Sequence, residues 1–142
     1  MDDPSAPLEP DRQLGYLLAR AADTVSRSWH EALRESGINP RQFSVLALVA
    51  DDETLSQGEL ARRVLITPQS MSELLRSLAS AGLIERGDAG RGRPSNLVVT
   101  DAGHELLGRA YPVVRDVDRE AFAVLTDEER ATLDGLLRKL VE

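Results

Sequence analysis

Apolar residues recur along this chain at intervals of three and four positions, the spacing that places them on one face of an α-helix. The longest such segment runs from about Asp11 to Ser36. A second long one follows Thr100, and a leucine-rich segment follows Thr126. Shorter segments with the same spacing begin after Asn39 and after Ser56. The pattern therefore predicts a mainly α-helical protein.

The stretch from Ser56 to Thr100 contains two short helical segments separated by a tight turn. Ser56 and Glu59 have the spacing of a capping box at the start of the first. Thr67 followed by Pro68 marks the start of the second, because a threonine caps well and proline tolerates the first helical position. Two helices joined in this way form a helix-turn-helix, whose second helix can lie in a DNA major groove.

A β-hairpin is predicted directly after the second of these helices. Residues 83–86 (LIER) and 96–100 (NLVVT) are rich in strand-forming residues. The polar, glycine-rich segment 87–95 between them suits a long hairpin tip. A helix-turn-helix followed by a hairpin is a winged helix.

The block LSQGELARRVLITPQSMSELLRSLASAGLIER, followed after the hairpin by LVVTDAG, resembles the MarR family of winged-helix transcriptional regulators. The resemblance implies a mainly α fold with a small β-hairpin wing, which dimerises through its N- and C-terminal helices. On this basis we expect a flexible tail at residues 1–10, a helical dimerisation region formed by 11–36 and 101–142, and a DNA-binding winged helix-turn-helix at 37–100. The wing tip, Gly90 to Pro94, departs from the acidic tip of that family.

Charge is distributed unevenly along the 142 residues, whose formal net charge is −7. Residues 1–55 carry a net −5 and residues 101–142 a net −4, whereas residues 56–100 carry a net +2. Affinity for a polyanion depends on the local patch rather than on the whole chain. The positive segment coincides with the predicted winged helix, although an imbalance of this size could also arise by chance.

The second helix of the motif presents polar residues opposite its apolar side, formed by Met71, Leu74, Leu75 and Leu78. Gln69 is suited to adenine, and Arg76 to guanine or to a phosphate. Glu73 could accept from cytosine or pair with Arg76. The plain alternative is a solvated helix face. The predicted DNA-binding residues are Arg62, Arg63, Thr67, Gln69, Ser70, Ser72, Arg76, Arg91 and Arg93.

The wing tip carries the tetrapeptide Arg91-Gly92-Arg93-Pro94, which resembles the core of an AT-hook. Its glycine permits close backbone approach and its proline fixes the direction of the chain. A narrow A·T-rich minor groove concentrates negative potential that attracts arginine. We therefore expect Arg91 and Arg93 to enter the minor groove; the alternative is a solvated tip.

The leucines near the C-terminus predict a homodimer, because a small domain cannot cover all of them. A dimer implies an inverted-repeat DNA site, and the wing implies A·T-rich flanks. The family resemblance further implies a small aromatic or lipophilic ligand between the dimer helices and the DNA-binding lobe. The candidate ligand-binding residues are Trp29, His30, Phe43 and Tyr111, each of which could equally be core or dimer packing.

Catalytic and metal-binding sets are missing from the sequence. It has no cysteine, and its two histidines, His30 and His104, lie on separate predicted helices. We predict no enzyme activity, no cofactor, no metal and no membrane segment, and we expect a cytoplasmic protein because the N-terminus lacks a signal-peptide pattern. The predicted function is a dimeric, sequence-specific DNA-binding regulator, a repressor released by a small ligand. A winged helix used only for protein–protein contact is the alternative.

Overall fold

A computed structural model describes residues 5–86 and 96–142 of the chain. It confirms a mainly α-helical winged helix-turn-helix with a small antiparallel hairpin. Its elements in chain order are α1 (Leu14–Leu33), α2 (Pro40–Asp51), α3 (Gln57–Arg63), α4 (Pro68–Ser80), β1 (Ile84–Arg86), β2 (Leu97–Val99), α5 (Asp101–Ala121) and α6 (Asp127–Val141).

The helix starts follow from their capping residues. At Asn39, Ser56 and Thr126 the cap side chain accepts from the backbone N–H three residues later. The residue three positions on returns a side-chain acceptor to the cap N–H, which completes a capping box at each site. Thr67 and Thr100 cap α4 and α5 with their hydroxyl groups alone. Each such cap stabilises its helix by about 1 kcal/mol.

The first helix is shorter than its apolar pattern predicts. The predicted span was about 11–36, whereas α1 covers Leu14–Leu33 and a single 3-10 turn lies at each end, at Pro10–Arg12 and Arg34–Ser36. The backbone of Gln13 is extended (φ −91°, ψ 122°), which separates the first turn from the helix. The apolar spacing continues through such turns, so periodicity alone overestimates the length of α1.

The hairpin is held against the rest of the fold at its root. Ile84 pairs with Val99, and Arg86 pairs with Leu97. A side chain at Gly103 would place its Cβ 2.3 Å from the carbonyl oxygen of Leu83, so only glycine allows α5 to start this close to β1. The position of the two strands is therefore fixed by their contact with the first turn of α5.

The hydrophobic core lies in the winged-helix portion of the molecule. Its fully buried side chains include Leu46 from α2, Leu60 from α3, Met71 and Leu78 from α4, and Leu107 from α5. In contrast, α6 has no buried residue and α1 has only one, at its C-terminal end. The winged helix-turn-helix is thus built around a closed core that α5 and the C-terminal end of α1 complete, whereas α6 and most of α1 lie outside it.

Candidate DNA interface and the adjoining groove

Helix α4 presents one apolar and one polar face. Met71, Leu75 and Leu78 are buried, and Leu74 is half-buried beside them. The predicted contact residues on the other face, Gln69, Ser70, Ser72 and Arg76, are all exposed, as is Glu73. The apolar contacts fix the rotation of α4 about its axis, so this polar face is displayed outward. A helix held in this way can enter a major groove.

The hydroxyl groups at the start of α4 are engaged in local hydrogen bonds. Thr67 Oγ1 accepts from the Ser70 N–H at 3.1 Å and donates to Ser70 Oγ at 3.0 Å. Ser72 Oγ donates to the Pro68 carbonyl oxygen at 3.1 Å. Thr67 and Ser72 therefore offer acceptor lone pairs to a partner, whereas the Ser70 hydroxyl keeps its proton for donation to a phosphate or a base.

Two exposed arginines, Arg62 and Arg63, lie in the last turn of α3, immediately before the turn to α4. Two carboxylates are electrostatically close to them. The pKa of Glu59 is lowered, mainly by hydrogen bonds from Ser56 and further by both arginines. The pKa of Asp52 is lowered, mainly by hydrogen bonds from Thr54 and slightly by Arg63. Both carboxylates are therefore ionised at neutral pH and moderate the positive charge at this end of α3.

A surface groove joins α4 to the base of the hairpin. It has a volume of about 330 Å³, and its lining includes Gln57, Ser72, Arg76 and Arg86. Ser72 and Arg76 were predicted as contact residues, but Gln57 and Arg86 were not. Gln57 is the first residue of α3, and Arg86 ends β1 where the chain enters the wing. Arg86 could have been identified from the sequence, because it is an arginine at the root of the predicted wing.

The predicted wing contacts Arg91 and Arg93 lie outside the described residues. The strands on either side are described, and they place the two ends of the wing beside the groove that contains Arg76. The assignment of Arg91 and Arg93 to the minor groove therefore stays a prediction.

Three of the four candidate ligand residues form one aromatic cluster. The ring centroids of Trp29 and Phe43 are 6.0 Å apart, and those of Phe43 and Tyr111 are 5.9 Å apart, both edge to face. The Trp29 indole Nε1 also donates to Asp118 Oδ1 at 3.1 Å. The cluster joins α1, α2 and α5, and so connects the terminal helices to the DNA-binding lobe.

The fourth candidate, His30, does not join this cluster. Its side chain is exposed, and its Nδ1 lies 3.1 Å from the Ser26 carbonyl oxygen on the same helix. Successive residues of an α-helix point about 100° apart, so Trp29 and His30 face different directions. The assignment of His30 to the ligand site therefore stays a prediction that the aromatic cluster does not support.

Within 5–86 and 96–142, no group of three or more histidine or acidic side chains is placed to hold a metal ion. Over the same residues, no helix is long and apolar enough to cross a membrane.

These features define a class of protein. A winged helix-turn-helix with an exposed polar second helix is the architecture of a DNA-binding regulator. The chain belongs to the MarR family, whose model matches residues 36–94. It is 35% identical over 136 residues to the HTH-type transcriptional repressor Rv2887 of Mycobacterium tuberculosis, covering 94% of this chain and 96% of the relative. The resemblance drawn from the sequence is thereby confirmed.

Solved structures agree with this assignment. Rv2887 of Mycobacterium tuberculosis in complex with DNA superposes with a TM-score of 0.73 at 32% identity, covering 92% of this chain and 98% of that one. Its complex with salicylic acid has the same TM-score and identity, and covers 92% and 99%. The transcriptional repressor CouR bound to p-coumaroyl-CoA has a TM-score of 0.83 at 27% identity, covering 97% and 98%. The fold therefore extends over nearly the whole chain.

Proposed function

We propose that this chain is a homodimeric, sequence-specific transcriptional repressor of the cytoplasm, without enzymatic activity, which a small aromatic or lipophilic ligand releases from DNA. The observation that carries the proposal is the exposed polar face of α4, which the buried Met71, Leu75 and Leu78 hold outward. Rv2887, which shares this fold along its length, has been solved in complex with DNA.

The DNA contacts follow from where each side chain lies. Gln69 and Arg76 lie on α4 and are long enough to reach base edges in a major groove. Ser70 retains a hydroxyl proton for a phosphate. Arg62 and Arg63, at the end of α3, are proposed to contact the DNA backbone, a kind of contact that fixes the orientation of a protein rather than its sequence preference. Arg91 and Arg93 are proposed for the flanking A·T-rich minor grooves.

The dimer is proposed from the apolar surface of the terminal helices. A groove of about 420 Å³ between α1 and α6 is lined by apolar side chains that include Leu18, Val25, Phe122, Leu133 and Leu137. We propose that the terminal helices of a second copy fill this groove. Two-fold symmetry then places two α4 helices on an inverted repeat, with half-sites about one helical turn apart.

A ligand-dependent release is supported by two relatives and by the aromatic cluster. Rv2887 has been solved with salicylic acid and CouR with p-coumaroyl-CoA, so proteins of this fold bind aromatic molecules. In this chain, Phe43 of α2 lies between Trp29 of α1 and Tyr111 of α5. A molecule that displaced one of these rings would change how the DNA-binding lobe sits on the terminal helices.

The test is fluorescence anisotropy with labelled DNA from upstream of the protein's own gene. We expect saturable binding that resists competition by unrelated duplex, and a lower affinity when salicylate or p-coumaroyl-CoA is present. Equal affinity for upstream and unrelated DNA would contradict sequence-specific regulation. Absence of DNA binding altogether would favour the alternative, a winged helix that contacts only other proteins.

A further inference from the structure

The groove between α4 and the root of the hairpin has an apolar floor and polar edges. Its floor is formed by Leu75 of α4, Ile84 of β1 and Leu97 of β2, all of which are buried. Gln57 of α3 and Arg76 of α4 line one edge, and the end of β1 lines the other. Because the floor belongs to the core, core packing sets the distance between the two edges.

Strand pairing directs the side chain of Arg86 towards this groove. Residues directly opposite each other in an antiparallel pair project to the same face, and Arg86 lies opposite the buried Leu97. Ile84, two positions earlier, projects to this face as well, whereas Glu85 projects to the other face. Arg86 therefore lies on the α4 side of the hairpin, and the carboxylate of Glu85, whose residue borders the groove, lies on the opposite side.

The polar side chains at the edges of the groove are mainly hydrogen-bond donors. Gln57, half-buried at the first position of α3, carries an amide NH2 group, and the exposed Arg76 and Arg86 carry guanidinium groups. Ser72 differs, because its hydroxyl proton is directed to the Pro68 carbonyl oxygen. Donors on both edges of a groove suit a polyanionic strand, since ionised phosphate oxygens accept hydrogen bonds and pair strongly with guanidinium groups.

The proposed complex with DNA requires a sugar-phosphate strand to cross the protein at this place. In a duplex, one strand separates each major groove from the next minor groove. With α4 in a major groove and the wing at the flanking minor groove, that strand passes between α4 and the hairpin. The groove lined by Arg76 and Arg86 lies between these two elements.

We propose that this groove holds that strand, and that Arg86 and Gln57 are two further DNA contacts, each to a phosphate. Arg86 contacts the strand from the wing side and Gln57 from the α3 side. Arg76 adds its positive charge along the same path, whether its guanidinium ends on a base or on a phosphate. Phosphate contacts position a protein on its site, so these two residues set the register between the half-site and its flank. This inference rests on the proposed function, because it requires the chain to bind DNA.

The experiment is a scan with methylphosphonates, in which a methyl group replaces one charged oxygen of a single phosphate. The half-site is first located by hydroxyl-radical footprinting on DNA from upstream of the protein's own gene. Fluorescence anisotropy then gives the affinity of the full chain for each modified duplex. We expect wild-type affinity to fall at the phosphates between the half-site and its flank. Unchanged affinity at all of these phosphates would overturn the proposal, whereas failure of any duplex to bind would instead contradict the proposed function.

Arg86→Gln removes the charge on the wing side of the groove. It should weaken binding to specific and unrelated duplexes alike, roughly tenfold, and lower the slope of log affinity against log salt by about 0.9 for each lost contact. At one phosphate, the methylphosphonate should cause no further loss in this variant, because its partner is already missing. Arg86→Lys keeps the charge and should retain the sensitivity at that phosphate.

The control for this variant is Arg109→Gln, which removes an exposed charge from α5 and should behave as wild type at every phosphate. Losses from Arg86→Gln and from the methylphosphonate that add up at every scanned position would overturn the assignment of Arg86. A loss confined to the specific duplex would also overturn it, because that result would indicate a contact to a base.

Gln57→Glu tests the other edge of the groove through a change of sign. An acidic side chain in the first turn suits a helix, so the melting temperature should be unchanged or slightly higher. The carboxylate should repel the phosphate and weaken binding to unmodified DNA more than Gln57→Ala does. A methylphosphonate at the contacted position should then restore part of the affinity, whereas it lowers the affinity of wild type. A Gln57→Glu protein whose affinity no methylphosphonate restores would overturn the placement of Gln57 at the strand.

Discussion

The helix-turn-helix and the terminal helices use their apolar residues in opposite ways. In α4 the apolar side chains Met71 and Leu78 are fully buried within one chain. In α6 the corresponding stripe is open, with Leu136 52% and Leu140 71% exposed. At the other end of the molecule, Leu14 of α1 is 84% exposed. Both regions have helical apolar spacing, yet only the helix-turn-helix buries its apolar face within its own chain.

The difference indicates which part of the molecule is complete in one chain. The DNA-binding lobe closes its core with residues from α2, α3, α4, the hairpin and α5, and with Leu33 from the end of α1. The terminal helices expose a surface that costs free energy in water until a partner covers it. The structure of the lobe is therefore set within one chain, and our proposal is that the terminal helices determine how two such lobes are spaced.

The change expected to have the largest effect is Leu136→Asp combined with Leu140→Asp. Two charges on the exposed stripe of α6 should prevent association without disturbing the core, since neither residue is buried. Loss of the second lobe removes the effective-concentration advantage of bivalent binding, so affinity for an inverted repeat should fall roughly 10²–10⁴-fold. Light scattering measures the loss of association, and fluorescence anisotropy with labelled DNA measures the loss of affinity.

The control for that variant is Val124→Asp, which introduces a charge at a residue that is 88% exposed in the turn between α5 and α6. It should remain dimeric and bind normally. A double Asp variant of α6 that stays dimeric would show that the partner contacts a different surface.

The next effect concerns stability and compares one leucine from each region. Leu78→Ala should lower the free energy of unfolding by roughly 2–5 kcal/mol, because it leaves a cavity in a closed core. Leu140→Ala should have little effect in the background of Leu136→Asp alone, which keeps Leu140 in place, because Leu140 is 71% exposed. Urea denaturation of both changes in that background makes the comparison, and equal losses would mean that α6 also packs into the core.

A smaller effect is expected from Arg76→Ala, which tests the polar face of α4. If the guanidinium reads a base, binding to the specific site should weaken by roughly 1–3 kcal/mol while binding to unrelated DNA is less affected. If the guanidinium contacts only phosphate, binding to the specific site and to unrelated DNA should weaken alike. Arg109→Ala is the control, because Arg109 is also exposed but lies on α5. Unchanged affinity for every duplex would place α4 outside the groove.

The smallest effect should come from the wing. Arg91→Ala with Arg93→Ala should lower the salt-dependence slope by about 0.9 for each lost contact. It should also remove the preference for A·T over G·C pairs at the flanks, because the narrow A·T minor groove attracts arginine. Wild type and variant are compared on an A·T-flanked and a G·C-flanked version of one site at several salt concentrations. These affinities give both the salt-dependence slope and the flank preference. Equal wild-type affinity for the two flanks would show that the wing reads no sequence.

Local chemistry explains why much of this fold could be predicted from the sequence. The capping box at Ser56, and Thr67 with Pro68, specify where helices start through contacts within three residues. The buried face of α4 follows from its apolar spacing. Such features need no knowledge of distant parts of the chain, and the structure confirms them.

The parts that sequence reasoning missed depend on contacts between distant residues or on conformations that a residue type disfavours. The groove of about 990 Å³ that both Arg41 and Arg62 line depends on how α2 and the end of α3 are placed in space. The left-handed Leu65 contradicts the usual preference of leucine.

The most direct test of the account is the mass of the complex formed with DNA from upstream of the protein's own gene. Sedimentation or multi-angle light scattering should give one duplex bound by twice the 15.5 kDa of a single chain, at every protein concentration that produces a complex. The Leu136→Asp and Leu140→Asp variant should form no such species. A wild-type complex that contains a single chain on a single half-site would contradict the claim that the terminal helices set the spacing of two lobes.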